Sequence, residues 1–235
     1  MTSGAYSSGN RLLDALPRSD RAGLKTDVEI VTLAAHQFTH AVGGVMDHVD
    51  FPIDAVLSVV ATLKNGDTVE VGTVGSEGFV ESDAVLDSAR AQRTSFCQVR
   101  GTVGRMSIRR FEARMENSRT FARSMRRNVR AALFSAQQFA ACNAKHSILQ
   151  RSARWLLMTE DRVGNNTFRL THEFLAIMLG VRRSGVSESA DQLQKLGAIS
   201  YHRGAVIILD RGMLTGIACE CYEACKLAFS SSLAE

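Results

Sequence analysis

The run Arg182-Arg183-Ser184, followed by Ser187 and Glu188, has the side chains needed to read base pairs. An arginine donates two hydrogen bonds to guanine O6 and N7, a glutamate accepts from cytosine N4, and a serine serves several bases or a phosphate. Arg169, Thr171, His172, His202 and Arg203 flank this run and are of types that hold phosphate, fixing register without reading sequence. Two further groups have the chemistry of metal or redox sites. His36 and His40 stand four residues apart with His48 nearby, a ligand spacing only on a helix, whereas their surroundings read as strand and loop; structural or solvated histidines are expected. Cys219-x-Cys221-x-x-x-Cys225 has the residue types for zinc or redox chemistry but lacks the paired spacing of strong zinc sites. Cys97 and Cys142 complete an odd set of five, a poor disulfide framework, and reduced thiols are expected. Neither a metal nor a cofactor is assigned. A nucleophile elbow, a phosphate-cradling loop with lysine and a His-Glu-x-x-His motif are all missing from the sequence, so there are no catalytic candidates and an enzyme is not expected.

The elements that must position the basic run can be read from local signals. Thr171 is placed to cap a helix whose Phe174, Leu175, Met178 and Leu179 face inward, and Gly180-Val181 stops it. A second helix follows at once, in which Val186, Ala190 and Leu193 recur at i, i+4 and i+7 and leave Arg183, Ser184, Ser187, Glu188 and Asp191 on the other face. Two short helices joined by a tight turn form a helix-turn-helix. Ala198–Tyr201, a His202-Arg203-Gly204 turn and Ala205–Leu209 add a β-hairpin, which makes the whole a winged helix. In this arrangement Arg182, Arg183, Ser184, Ser187 and Glu188 stand at the end of the second helix that enters the major groove.

Upstream the texture differs. Residues 1–10 read as a mobile tail and Asn10 to Leu24 as a short helix. From Val28 to Met106, β-branched residues and recurrent glycines point to a sandwich or barrel, with a hairpin of Val56–Leu63 and Thr68–Val74 around Asn65-Gly66. From Ile108 to about Cys142 there is neither proline nor glycine, and a short helix followed by a long one is expected. Phe121, Met125, Ala132, Ala136 and Phe139 recur close to a coiled-coil spacing, which suggests a dimer seam. A further helix spans His146 to Thr159, with a candidate hinge near Asn143. The fold class is α+β.

The 235 residues, 45% hydrophobic and 22% charged, exclude a disordered or fibrous chain. The apolar runs are too short to cross a membrane, and residues 1–10 lack the features of a secretory signal, so a cytoplasmic location and no membrane partner are expected. The net charge of +4 is mild. It hides a local excess of nine arginines over two acids between Arg105 and Arg130, read as a solvated helix face.

Several stretches together resemble the Crp/Fnr superfamily of bacterial regulators. They are Ala141-Cys142-Asn143-Ala144-Lys145-His146, Arg151–Met158, Asp161-Arg162, Leu170–Arg183, Gly185-Val186, Gly197-Ala198-Ile199, Tyr201-His202-Arg203-Gly204 and Cys219-Glu220-Cys221-Tyr222. Asn10–Leu13, Phe51-Pro52, Val69–Gly72 and Gly75–Gly78 extend the resemblance over nearly the whole chain. It implies a cyclic-nucleotide-binding-like jelly-roll sensor domain over 11–117, a dimerisation helix over 118–142 and a winged helix-turn-helix domain over 143–235. In cyclic-nucleotide-binding relatives a Gly-Glu pair and, about ten residues on, an Arg-Ser or Arg-Thr pair hold sugar and phosphate. Arg93-Thr94 is present, but the Gly-Glu position falls on Ser82-Asp83, and Glu77-Gly78 is spaced differently. The adenine-contacting pair of the activator subgroup falls near Ala136-Gln137. A cyclic nucleotide is therefore not expected, and Glu77, Gly78, Asp83, Arg93, Thr94, Ala136 and Gln137 stand as candidates for an effector of unassigned identity. An oxygen-labile iron-sulfur cluster is not supported either, since no cysteine precedes Cys97. The recognition helix has Ser184 where the activator subgroup has Glu and Glu188 where it has a second Arg, so a different operator is expected.

These readings converge on a homodimeric transcription regulator that binds a pseudo-palindromic site in double-stranded DNA, with RNA polymerase as a further partner. Two alternatives are a ligand- or partner-binding module without sequence-specific DNA binding, and a metal- or redox-responsive protein working through its histidines or cysteines.

Overall fold

The computed structural model describes residues 7–234 and divides into two compact units. The first comprises residues 7–59, 73–133 and 227–234, and the second residues 60–72 and 134–226.

The first unit begins with three short helices, α1 (Arg11–Asp14), α2 (Arg18–Ala22) and α3 (Leu24–Asp27), in place of the single helix expected over Asn10 to Leu24. Pro17 and Gly23 divide them, since proline removes a backbone donor and glycine weakens helical continuity. Residues 1–6 of the expected tail lie outside the described residues, and residues 7–10 are not a tail. Ser8 and Asn10 are buried. Asn10 Oδ1 caps α1 by accepting from Leu13 N at 3.1 Å, and its Nδ2 donates to Pro52 O at 2.8 Å and Gly78 O at 2.9 Å. One buried amide thus satisfies a carbonyl at the end of the strand His48–Pro52 and one in the loop after the strand Thr68–Val74.

Seven strands follow: β1 (Val28–Leu33), β2 (Phe38–His40), β3 (His48–Pro52), β4 (Val56–Thr62), β5 (Thr68–Val74), β6 (Thr94–Val99) and β7 (Gly101–Ser107). They form two sheets, β1-β7-β3 and β2-β6-β4-β5. A 3-10 turn over Ser82–Leu86 separates β5 from β6. The expected hairpin is β4–β5, turned at Gly66 with φ +90°. Between β3 and β7 the register pairs Phe51 with Gly104 and Asp50 with Arg105.

After β7 come α4 (Ile108–Asn117) and α5 (Arg119–Lys145). Phe111 of α4 and Phe121 and Met125 of α5 are fully buried with Leu12, Leu13, Phe51 and Phe79 in one core. Burying each such side chain contributes roughly 1.5–3 kcal/mol. This placement withdraws Phe121 and Met125 from an intermolecular seam: the apolar period is real, but the chain's own barrel covers it. Farther along α5, Phe139 is buried beneath the Arg154 guanidinium, 4.2 Å from its ring centre, and Ala132 and Ala136 are half-buried. The large apolar side chains left in solvent there are Leu133, 58% exposed, and Phe134, 41% exposed.

The arginine run divides in two. Arg105 makes a bidentate pair with buried Asp50, both contacts at 2.8 Å, and Arg114 pairs with Asp27 at 2.6 Å. Arg109, Arg119, Arg123, Arg126 and Arg130 are solvated, as expected of a polar helix face.

The second unit holds the C-terminal half of α5, then α6 (Ile148–Val163), β8 (Thr167–Arg169), α7 (His172–Leu179), α8 (Arg183–Lys195), β9 (Ile199–His202), β10 (Ala205–Ile208), α9 (Arg211–Ile217) and the start of α10 (Cys221–Ala234). The α5–α6 break lies at His146-Ser147, not near Asn143, because Ser147 and Gln150 build a reciprocal capping box at the start of α6. The hairpin tip over 60–72 belongs to this unit, and Trp155 Nε1 of α6 donates to Glu70 Oε1 at 3.1 Å. No helix among the described residues is long and apolar enough to cross a membrane.

Candidate nucleic-acid interface

Local chemistry builds the α7–turn–α8 pair. Thr171 Oγ1 accepts from Phe174 N at 3.1 Å and starts α7, and Gly180 ends it at φ +62°, where a β-carbon would be strained. Val186, Ala190 and Leu193 of α8 are buried, together with Leu175, Met178 and Leu179 of α7. Behind α8, β9 and β10 form the wing, with Arg203 and Gly204 both at positive φ in its turn. Strand β8, which the sequence reading missed, adds a third strand by pairing with β10.

A small polar cluster fixes α7, α8 and the wing to one another. His172 Nδ1 and Ser187 Oγ are 3.0 Å apart, the His172 and Tyr201 rings lie 4.3 Å apart, and Tyr201 donates its hydroxyl to Leu170 O at 2.7 Å. Burial, with the nearby Arg183 charge, holds His172 below the usual histidine range. Its Nε2 is buried without a hydrogen-bond partner among the described residues. The geometry therefore turns His172 away from the phosphate contact expected of it, and Ser187 toward His172.

Arg182, Arg183, Ser184 and Glu188 are exposed, and no side chain among the described residues caps the start of α8. The helix begins with two cations and has no acid in its first turn, the reverse of what the helix dipole favours. Such an end suits an anionic partner, since both arginines are exposed and no acid in the first turn offsets them. Arg169, Thr171, His202 and Arg203 are also exposed.

The barrel candidates have local roles. Asn128 Nδ2 donates to Glu77 O at 2.8 Å, Gly78 O accepts from Asn10, and Asp83 Oδ2 accepts from Gln92 N at 2.8 Å. Thr94 Oγ1 accepts from Val42 N at 3.2 Å, and Arg93 is exposed with Nη1 on the carbonyl of Gln92. Ala136 and Gln137 fall in the other unit. His36 sits at φ +66° in the turn between β1 and β2, so it and His40 share no helix. His40 Nδ1 contacts Glu81 at 2.9 Å, and His48 contacts Asp47 and, at 3.5 Å, Asp50.

The cysteines rearrange the sequence reading most. Cys219 and Cys221 are brought to Cys142 and His146, while Cys225 stands outside that group. The available signal was Cys142-x-x-x-His146, one turn apart on a helix, which places both side chains on one face.

Residues 150–217 match the Crp-like helix-turn-helix domain family. Among curated proteins no match is found. Solved structures of similar fold include FixK2 from Bradyrhizobium japonicum, 13% identical, covering 82% of this chain and 98% of that one with a TM-score of 0.68. TTHB099, a Crp-family transcriptional regulator from Thermus thermophilus, is 18% identical, covers 80% and 96% and gives a TM-score of 0.67. TTHA1359, a Crp/Fnr-family regulator from the same organism, is 18% identical, covers 81% and 98% and gives 0.64. The barrel, the long helix and the winged helix follow one another in this chain in the order of that fold, and the helix-turn-helix itself matches at the level of sequence. The chain thus carries a Crp-like helix-turn-helix domain over residues 150–217 and has the fold of solved Crp/Fnr-family transcription regulators.

Proposed function

We propose that the chain binds an inverted-repeat operator as a homodimer, each copy placing the first turn of α8 in the major groove. Arg182, Arg183, Ser184 and Glu188 read base edges, and Arg169, Thr171, His202 and Arg203 hold phosphates. Ser187 and His172 position the helix. The observation that carries this reading is the exposed, uncapped, doubly cationic start of α8. Local stability is sacrificed there, which is common at binding sites. Leu133 and Phe134 on α5, not the Phe121–Met125 stripe, supply apolar contact to the second copy. The domain limits 11–117, 118–142 and 143–235 serve as the working division, and the cytoplasm, where the operator is, as the location.

Selection of random DNA duplexes on the purified full chain at physiological salt tests the reading. The expected product is an inverted repeat with half-sites centred one helical turn apart, ~34 Å. Enrichment of a lone half-site would remove the dimer. A pool with no preferred sequence and only salt-dependent retention would remove base reading by α8.

A further inference from the structure

Four side chains from two distant parts of the second unit meet at one point. Cys142 and His146 lie one turn apart at the end of α5, and Cys219 and Cys221 flank the start of α10. Their ligand atoms all lie within 4.8 Å of one another. Cys142 and Cys219 Sγ are 3.5 Å apart, and Cys221 Sγ is 3.6 Å from His146 Nδ1. At a Zn–S length of ~2.3 Å and a Zn–N length of ~2.0 Å, a tetrahedral centre puts two sulfurs about 3.8 Å apart and a sulfur and a nitrogen about 3.5 Å apart. The observed separations match that shell.

The surroundings fit as well. His146 directs Nδ1 at the sulfurs while Nε2 lies 3.3 Å from the Glu220 carboxylate, the second-shell arrangement that fixes the tautomer of a ligating histidine. Gln138 Nε2 donates to Cys221 Sγ at 3.1 Å, as expected around a thiolate. All three cysteines are buried. So are Arg151 and Arg154, both within electrostatic reach of Cys142, and neither pairs with a carboxylate among the described residues. Arg154 has Met158 Sδ at 3.3 Å and the Phe139 ring as its partners, and the Nε of each arginine has none. Buried cations without a counter-charge are costly. A divalent zinc held by three thiolates and a neutral imidazole carries a net charge of −1 and offsets part of their charge.

We propose that Cys142, His146, Cys219 and Cys221 form a closed structural zinc site that ties the end of α5 to the α9–α10 junction. Binding displaces the thiol protons to solvent and moves no electrons. With all four positions filled by protein, the site has no open coordination position for substrate. Because its ligands are 77 residues apart between Cys142 and Cys219, the metal closes a long loop and its binding energy is folding energy for this unit.

The test uses the full chain purified under reductant, without chelator, after expression in zinc-supplemented medium. Metal analysis is expected to give one zinc per chain. Exchange with Co2+ is expected to give the visible bands of a tetrahedral centre and thiolate-to-cobalt charge transfer. Cys142→Ser and Cys219→Ser should lose both signals, Cys97→Ser and Cys225→Ser should keep both, and Glu220→Gln should weaken zinc binding about tenfold. Where a ligand variant fails to fold, the cobalt spectrum of the unsubstituted chain decides by itself. Zinc far below one per chain without cobalt bands overturns the proposal. Loss of metal in Cys225→Ser to the same extent as in Cys142→Ser, or a Cys142–Cys219 disulfide in zinc-replete reduced protein, does so too.

Discussion

In the first unit Glu77, Gly78, Asp83 and Thr94 are engaged in internal hydrogen bonds and Asp50 is locked to Arg105, with Arg93 the exposed exception among the effector candidates there. In the second unit Arg182, Arg183, Ser184 and Glu188 stand free in solvent at the start of a helix. Residue types are alike in the two regions. Internal hydrogen bonding separates them, because a side chain already satisfied inside its own fold gains little by meeting a ligand, whereas an exposed guanidinium keeps all its donors for a partner.

His40 and His172 are treated oppositely by their surroundings. Burial works against the charged form of His40, but the hydrogen bond and charge of Glu81, with Asp47, outweigh it and hold its pKa above the usual range. Burial dominates at His172, joined by the charge of Arg183, and holds its pKa below that range. The same side chain thus favours protonation in the barrel and neutrality in the winged helix.

The largest expected effect that sharpens this contrast is in the barrel. Arg105→Ala leaves the fully buried Asp50 carboxylate without its bidentate partner and should cost about 3 kcal/mol of unfolding free energy, read by urea denaturation. DNA sequence preference in protein that remains folded should be unchanged; a change of preferred sequence would mean that the barrel arginine takes part in reading.

Next comes Arg183→Ala, expected to cost ~1–3 kcal/mol at a single operator base pair and to relax the preference there. Equal weakening at every position would make Arg183 a phosphate contact. Arg93→Ala, its exposed counterpart in the barrel, should leave operator affinity within about 0.5 kcal/mol. Thr171→Ala removes the cap of α7 and should lower stability by about 1 kcal/mol, measured by thermal unfolding of the full chain.

The smallest effects are in pH dependence and have opposite signs. The His40 contribution is whole below pH 6.5, its ordinary pKa, and is lost as pH rises through the raised value, so His40→Gln should flatten a decline on the alkaline side. The His172 contribution is whole above pH 6.5 and is lost as pH falls through the lowered value, so His172→Gln should flatten a decline on the acid side. Slopes of the same sign for both residues would break the comparison.

Much of the winged helix was legible because its signals are local. Thr171, Gly180 and the period of Val186, Ala190 and Leu193 each act within a few residues, and backbone geometry alone makes them a capped helix, a stop and a buried stripe. The stripe of Phe121 and Met125 was equally legible as an apolar face, but a period does not say what covers it, and here the covering surface is Phe51, Phe79 and Phe111 of the same chain. Asn10 shows the same limit, since its two carbonyl partners lie 42 and 68 residues away. The sequence by itself determined the succession of β-rich segment, long helix and winged helix, the exposed cationic start of α8 and the Cys-x-Cys and Cys-x-x-x-His pairs. Only the tertiary structure decided that those two pairs meet, that Cys225 is not among them and that His172 turns inward, because side chains far apart in the chain become neighbours through the packing of whole elements, which no local spacing encodes.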